Sequence, residues 1–139
     1  MMTEAQDKRK KRSRLLQWPC KLKRVPEVAP YLDGADLLIS ADCAAYARQG
    51  FHEEFMKGKI TLTACPALDG ADYYERFLSI IKENKPRSIT LVRMETGCCS
   101  LLEAELEKAL NDSGSIINYT AVTLTTGGDI KTIKGETIR

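Results

Sequence analysis

The sequence predicts a small α/β domain built on a doubly wound, mostly parallel sheet. Two observations support this fold class. Short apolar and β-branched runs, typical of strands buried on both faces, alternate with segments whose apolar residues have helical spacing. The resulting order β-α-β-α-β-α-β requires crossover connections, which place successive strands in parallel. With 139 residues, 43% of them apolar and 29% charged, the chain has the size and composition of one globular domain.

Four apolar runs predict the strands, and they cover residues 35–40, 59–64, 88–94 and 118–124. The first run ends one residue before Asp42-Cys43, the second directly before Cys65-Pro66, and the third shortly before Cys98-Cys99. Residues 125–133 contain Gly127-Gly128-Asp129, which predicts a turn between short extended pieces.

Three segments between these runs predict helices, over residues 44–57, 71–85 and 100–113. Each ends at a helix-stop signal, because Gly58, Pro86 and Gly114 follow them. Ser100 and Glu103 have the spacing of a capping box, which predicts that the third helix begins at Ser100. The elements together predict a three-layer Rossmann-like or flavodoxin-like domain with a sheet of four or five strands.

The N-terminus differs from the rest of the chain in charge. Residues 1–14 carry a net charge of +4, and we expect them to form a basic disordered tail ahead of a single α/β domain over residues 15–139. Residues 15–34 contain three prolines, which predicts an extended segment that wraps the sheet. Basic residues are clustered only over residues 8–14, and the body has no basic stripe, so nucleic-acid binding is not expected.

Cysteine usage and the absence of long apolar runs predict a cytoplasmic protein. The sequence has no apolar run near the 18–20 residues that span a bilayer, and no signal-peptide core. We therefore expect no membrane association and reduced thiols. The five cysteines are also an odd number, which a closed disulfide framework does not use.

Four of the five cysteines follow predicted strands. Cys43, Cys65, Cys98 and Cys99 come after the first three strands, whose carboxyl ends meet at one edge of a parallel sheet. The predicted helix starts also face this edge, where their N–H groups and dipoles stabilise thiolates. The sequence therefore predicts one shared sulfur site. The alternative is that these small side chains serve core packing.

Thiolates select zinc, Cu(I) and iron–sulfur clusters, so a metal centre is the first hypothesis for such a site. One alternative is a zinc site with a structural or regulatory role. Another is a cysteine-dependent thiol or redox enzyme that uses Cys98 or Cys99. His52 is the sole histidine and lies in the middle of a predicted helix, where a surface or packing role is expected. Asp42, Asp69 and Glu95 lie near the strand ends as caps or hydrogen-bond acceptors.

Several longer strings point to a known family. They are Leu16-Gln17-Trp18-Pro19, the run from Gly34 to Cys43, Phe51-His52, Phe55 to Lys59, Cys65-Pro66 with Leu68-Asp69, and Val92 to Glu95 before Cys98-Cys99. Together they resemble a family of bacterial and archaeal iron–sulfur (4Fe–4S) cluster-binding proteins over roughly residues 15–126. Members of that family usually carry a ferredoxin-like module ahead of an α/β domain similar to this one, and the present sequence has no counterpart of the module.

The resemblance implies an iron–sulfur or electron-transfer setting with a redox partner protein. It implies that Cys43, Cys65, Cys98 and Cys99 are the matching cysteines, whereas Cys20 lies outside the family's pattern. Our leading expectation is therefore an iron–sulfur cluster held by these four cysteines in electron transfer or redox sensing, with zinc as the alternative metal.

Overall fold

The computed structural model describes residues 12–70 and 72–138. In these residues, five strands form one sheet in the order β2-β1-β3-β4-β5. Strands β1 to β4 are parallel, and β5 runs antiparallel to β4. Their bounds are Asp36–Ala41 for β1, Ile60–Ala64 for β2, Ser88–Met94 for β3, Ile117–Leu124 for β4 and Ile130–Ile138 for β5. The predicted doubly wound α/β fold is confirmed, with five strands.

The described part of the chain also forms four α-helices: α1 is Ala44–Ala47, α2 is Pro66–Asp69, α3 is Tyr74–Asn84 and α4 is Gly97–Ser113. A 3-10 turn covers Pro30–Leu32, and a π-helical turn covers His52–Met56. None of the helices over residues 12–70 and 72–138 has both the length and the apolar character needed to cross a membrane.

The continuous helix predicted for residues 44–57 is wrong. The backbone leaves the helical region at Arg48, whose φ and ψ are −106° and 108°, and Gly50 has φ +80° in the left-handed region. The chain resumes as the π-helical turn, in which the Phe51 and Phe55 rings are 5.4 Å apart and both buried. The apolar spacing is therefore preserved across two short helical pieces.

The start predicted for the third helix is also wrong. Helix α4 begins at Gly97, so Cys98 and Cys99 lie in its first turn and not in a loop. The Ser100 hydroxyl accepts a hydrogen bond from Arg93 at 3.2 Å inside the helix. The predicted stop is confirmed, because Gly114 has φ +71° and ends the helix.

Helix α3 ends on an unusual residue. Lys85 follows Asn84 with φ +48°, a left-handed conformation that favours glycine. Its N–H donates to the carbonyl of Ile81 at 3.0 Å, which closes the last turn before Pro86.

The sheet buries a separate apolar cluster on each face. Helices α3 and α4 cover the first face, whose cluster is Leu22, Val25, Ala29, Leu32, Leu37, Ile39, Ile60, Leu62, Ala64, Tyr73, Phe77, Ile80, Ile81, Ile89, Leu91, Leu102, Leu106, Ala109, Leu110, Ile117, Tyr119 and Ala121. Helix α1 and the π-helical turn cover the second face, whose cluster is Leu38, Ala41, Ala44, Phe51, Phe55, Met56, Val92, Met94, Cys99, Val122 and Leu124. Leu15 packs against this second cluster.

The segment before β1 runs along the outer edge of β2. Lys21 forms a parallel bridge with Thr63. The Leu22 N–H donates to the Thr63 carbonyl and the Thr63 N–H donates to the Cys20 carbonyl, both at 2.8 Å. This placement agrees with the wrapping segment predicted for residues 15–34. Of the predicted basic tail, residues 1–11 lie outside the described residues, and the Arg14 guanidinium contacts Glu53 at 2.6 Å.

Candidate functional site

The strand order places a switch point between β1 and β3. The chain passes from β1 outward to β2 and then returns across β1 to β3. In open α/β sheets, ligands bind in the crevice beyond the carboxyl ends of the strands at such a point. A crevice of about 390 Å³ lies there, lined by Cys43, Tyr46, Ala47, Met94, Thr96 and Thr126. The structure therefore places one predicted site residue, Cys43, directly in the crevice.

The five cysteines are free thiols that differ in exposure. Cys43 and Cys98 are exposed, Cys20 and Cys65 are half-buried, and Cys99 is buried in the second-face cluster. Among residues 12–70 and 72–138, no group of three or more His, Cys, Asp and Glu side chains is arranged to hold a metal ion. The shared four-cysteine metal site therefore stays a prediction.

Cys98 and Cys99 share one hydroxyl neighbour but differ in acidity. Thr96 Oγ1 lies 3.4 Å from Cys98 Sγ and 3.9 Å from Cys99 Sγ. The hydrogen bond between Thr96 and Cys98 lowers the pKa of Cys98, with a smaller contribution from the Cys99 thiol. Burial raises the pKa of Cys99. Because Cys98 also lies in the first turn of α4, where helix N–H groups favour anions, it is the thiol suited to react as a thiolate.

The Arg93 side chain connects the end of β3 to the first turn of α4. Its guanidinium donates to the carbonyl of Met94 at 3.0 Å, to the carbonyl of Thr96 at 3.4 Å and to Ser100 Oγ at 3.2 Å. It also lies 3.5 Å from the Glu103 carboxylate. These contacts bracket Cys98 and Cys99, so they restrain the turn that carries both thiols.

A charged network lies beside Cys43 and Cys65. Lys21 Nζ is 2.8 Å from Asp42 Oδ2 and 3.0 Å from Asp69 Oδ2. Asp69 Oδ2 also accepts the Cys65 N–H and the Tyr73 hydroxyl, each at 2.9 Å. Burial disfavours the charge on Asp69, but the Cys65 amide, Lys21 and Tyr73 outweigh it and lower the pKa of Asp69. Asp42 Oδ1 is buried without a hydrogen-bond partner in the part of the chain that the structure describes.

The predicted acceptor roles of the strand-end carboxylates agree with these contacts. Asp42 and Asp69 accept from Lys21, and Glu95 accepts the Thr126 N–H at 2.9 Å. His52 is half-buried, and its Nδ1 accepts the Arg14 N–H at 3.1 Å, in line with the packing role expected for it.

The sequence did not identify Lys21, Arg93 or Thr96 as parts of this edge. A weak signal existed for two of them. Thr96 is a residue type that often precedes a helix, and Arg93 is a charged residue near the end of an otherwise apolar run. Lys21 had no such signal, because its partners lie 21 and 48 residues away along the chain.

Comparison with known proteins shows the family of the chain. A family described as "Rossmann-like domain" matches residues 29–139. A protein from Archaeoglobus fulgidus, described as an uncharacterized protein, is 32% identical over 99 residues, which cover 70% of this chain and 69% of the relative. No solved structure matches. The chain therefore belongs to this family of Rossmann-like domains.

Proposed function

We propose that this chain binds a sulfur-ligated metal centre, specifically an iron–sulfur cluster, through cysteines at the carboxyl edge of its sheet. The observation that carries the proposal is that β1, β2 and β3 each lead into a cysteine at one edge, at Cys43, Cys65 and Cys98. The proposed role is electron transfer or redox sensing with a redox partner protein. A reducing cytoplasm suits this role, because it keeps free thiols reduced.

The chemistry of the donors fits such a centre. Thiolates are the ligands that iron–sulfur clusters and structural zinc sites use. Cys43 and Cys98 are exposed, and the lowered pKa of Cys98 favours its thiolate form. The described residues hold no assembled set of three ligands, so metal binding would require the segments that carry the cysteines, including the first turn of α4, to approach one another. The bound group would supply the redox chemistry, while the chain would supply thiolate ligands and a partly dry edge.

Anaerobic reconstitution of the full chain tests the proposal. We expect the chain to retain iron and acid-labile sulfide after gel filtration and to show sulfur-to-iron absorption in the visible range. Cys43→Ser and Cys98→Ser should lose this material, whereas the matched variant Cys20→Ser should keep it. Stoichiometric zinc without iron would support the zinc alternative. A chain that takes up neither metal would contradict both forms of the proposal.

A second candidate is a metal-free thiol redox protein, favoured by the opposite pKa shifts of Cys98 and Cys99. The Cys98 thiolate would attack a disulfide of a partner protein, form a mixed disulfide and release the partner's other sulfur as a thiolate. Neighbouring Cα atoms are about 3.8 Å apart, below the usual range of disulfides, so a Cys98–Cys99 disulfide would be strained. Mass spectrometry after brief iodoacetamide treatment at neutral pH should find the label on Cys98 before Cys99.

A further inference from the structure

We propose that Lys21 is a positioning residue for the cysteine edge, because its ammonium group connects the loop that carries Cys43 to the segment that follows Cys65. The inference rests on the proposed function for what the loops bind, but the link itself is a matter of geometry. Lys21 is not part of the cysteine set and lies on the segment that precedes β1.

Lys21 contacts one carboxylate that is next to Cys43 in the sequence and a second that is hydrogen-bonded to the backbone of Cys65. Its Nζ is 2.8 Å from Asp42, which directly precedes Cys43, and 3.0 Å from Asp69. Asp69 in turn accepts the backbone N–H of Cys65 at 2.9 Å. One cation therefore restrains the backbone at the start of both loops.

The link lies where the sheet stops holding the two loops together. The paired registers of β1 and β2 end at Ala41 and Ala64, and the Asp42 N–H still donates to the Ala64 carbonyl at 3.0 Å. Beyond this bond the chain continues into Cys43 on one side and Cys65 on the other. Beyond the paired strands, the ammonium group of Lys21 connects the two loops through its contacts with Asp42 and Asp69.

The position of Lys21 is itself set by the sheet. Its two sequence neighbours exchange backbone hydrogen bonds with Thr63 on the outer edge of β2. The side chain is one-third exposed, at 33%, whereas that of Asp69 is only 14% exposed. The ammonium group thus extends from a fixed backbone into a partly dry site, where charge pairs are screened less than at the surface.

Removal of the cation would leave two carboxylates facing each other. Like charges in one partly buried site repel each other. Asp42 Oδ1 is already buried without a partner among the described residues, so Asp42 has little else to hold it in place once Lys21 is lost. The direction of the Lys21 pKa shift agrees with attraction between its ammonium group and the two carboxylates. Burial lowers the pKa of Lys21, but its hydrogen bonds to Asp42 and Asp69 outweigh burial and raise it.

The test compares three variants of the full chain without metal. Lys21→Met removes the charge and keeps the apolar stem, Lys21→Arg keeps a cation, and Lys108→Met is a control on the exposed side of α4, where Lys108 lies 4.0 Å from Asp112. Hydrogen exchange would be read at the Cys65 amide and across α4 and β4. Alkylation would be read at the half-buried Cys65 and the buried Cys99.

We expect Lys21→Met to speed exchange of the Cys65 amide and alkylation of Cys65 by roughly five- to tenfold, with α4, β4 and Cys99 unchanged. Lys21→Arg should restore most of the protection, and Lys108→Met should match the parent chain. An unchanged Cys65, or an equal rise across α4 and β4, would overturn the inference. If Lys21→Met does not fold, Asp42→Ala removes the acceptor of the same link and should loosen Cys65 to a smaller extent.

Iron and sulfide loading of the same variants separates this inference from the proposed function. If Lys21→Met loosens Cys65 while the parent chain binds no metal, the positioning role stands and the metal proposal fails. If the parent chain loads a cluster and Lys21→Met loads it equally well with Cys65 still protected, the positioning role fails alone.

Discussion

The two faces of the sheet are covered in different ways. On the first face, α3 and α4 contribute 28 residues of regular helix and bury a cluster with twice as many described residues as the second. On the second face, the cover is a four-residue helix, a π-helical turn and Leu15. The Cys43 crevice lies beside this thin cover, since Ala47 of α1 lines it. From this comparison we expect the first face to contribute more of the stability and the second face to open locally more easily.

The largest expected effect on stability comes from replacing a leucine by alanine, and the same substitution can be made on each face of the sheet. Leu106→Ala on the first face removes a fully buried side chain and should cost about 2–5 kcal/mol of unfolding free energy. Leu15→Ala on the second face removes a half-buried side chain and should cost roughly 1 kcal/mol, because less apolar area is lost. Urea unfolding would measure both, and equal costs would contradict the lighter burial of Leu15 in the cover of the second face.

The next largest effect is expected at Gly128, where the turn between β4 and β5 packs against α1 on the second face. Gly128 has φ +92°, and a Cβ built there would lie 2.0 Å from the carbonyl oxygen of Ala47. Gly128→Ala should therefore cost roughly 1–3 kcal/mol and push the turn away from α1. Gly127→Ala is the matched control, since its Cβ would come no closer than 3.8 Å to Thr125. Urea unfolding and hydrogen exchange at residues 44–47 would report the two costs, and equal values for both variants would argue against close packing at Gly128.

The smallest expected effect on stability is at Thr96, where the readout is reactivity. The pKa of Cys98 is lowered by the Thr96 hydrogen bond, so the thiolate fraction should rise with pH below the range of an ordinary thiol. Thr96→Val removes the hydroxyl and should shift the midpoint of Cys98 alkylation to higher pH, whereas Thr96→Ser should keep it. A pH profile of iodoacetamide labelling would measure this shift. Identical profiles for the valine and serine variants would exclude the hydroxyl as the cause.

The sequence was sufficient for the four parallel strands. It did not predict the length or the antiparallel direction of β5, where it indicated only a short extended piece after the turn, and it did not predict the contacts at the carboxyl edge of the sheet. Strand β3 has the predicted bounds, because its β-branched run lies between Pro86 and Gly97, two residue types that strand interiors avoid. The helix predicted over residues 44–57 failed because apolar spacing of four residues does not reveal the left-handed turn at Gly50. The start of α4 was missed because the capping-box pattern at Ser100 competed with Thr96, three residues before Cys99.

The site shows the same division between local and long-range information. Strand ends placed Cys43, Cys65 and Cys98 at one edge, because parallel strands share their direction. Their exposure and their separation depend on loops that no periodic pattern describes. Lys21 joins two of those loops from a distant part of the chain, and that kind of contact has no local signature in the sequence.

The chain can be stabilised at Lys85, the residue in left-handed conformation that follows α3. A left-handed backbone costs an L-residue with a Cβ roughly 1 kcal/mol more than glycine. Lys85 carries this cost at φ +48° while its N–H caps the helix through the backbone alone. Lys85→Gly should therefore raise the unfolding free energy by up to about 1 kcal/mol without touching the cysteine edge. Such a background would let damaging variants at Lys21 or Gly128 be studied in a chain that still folds.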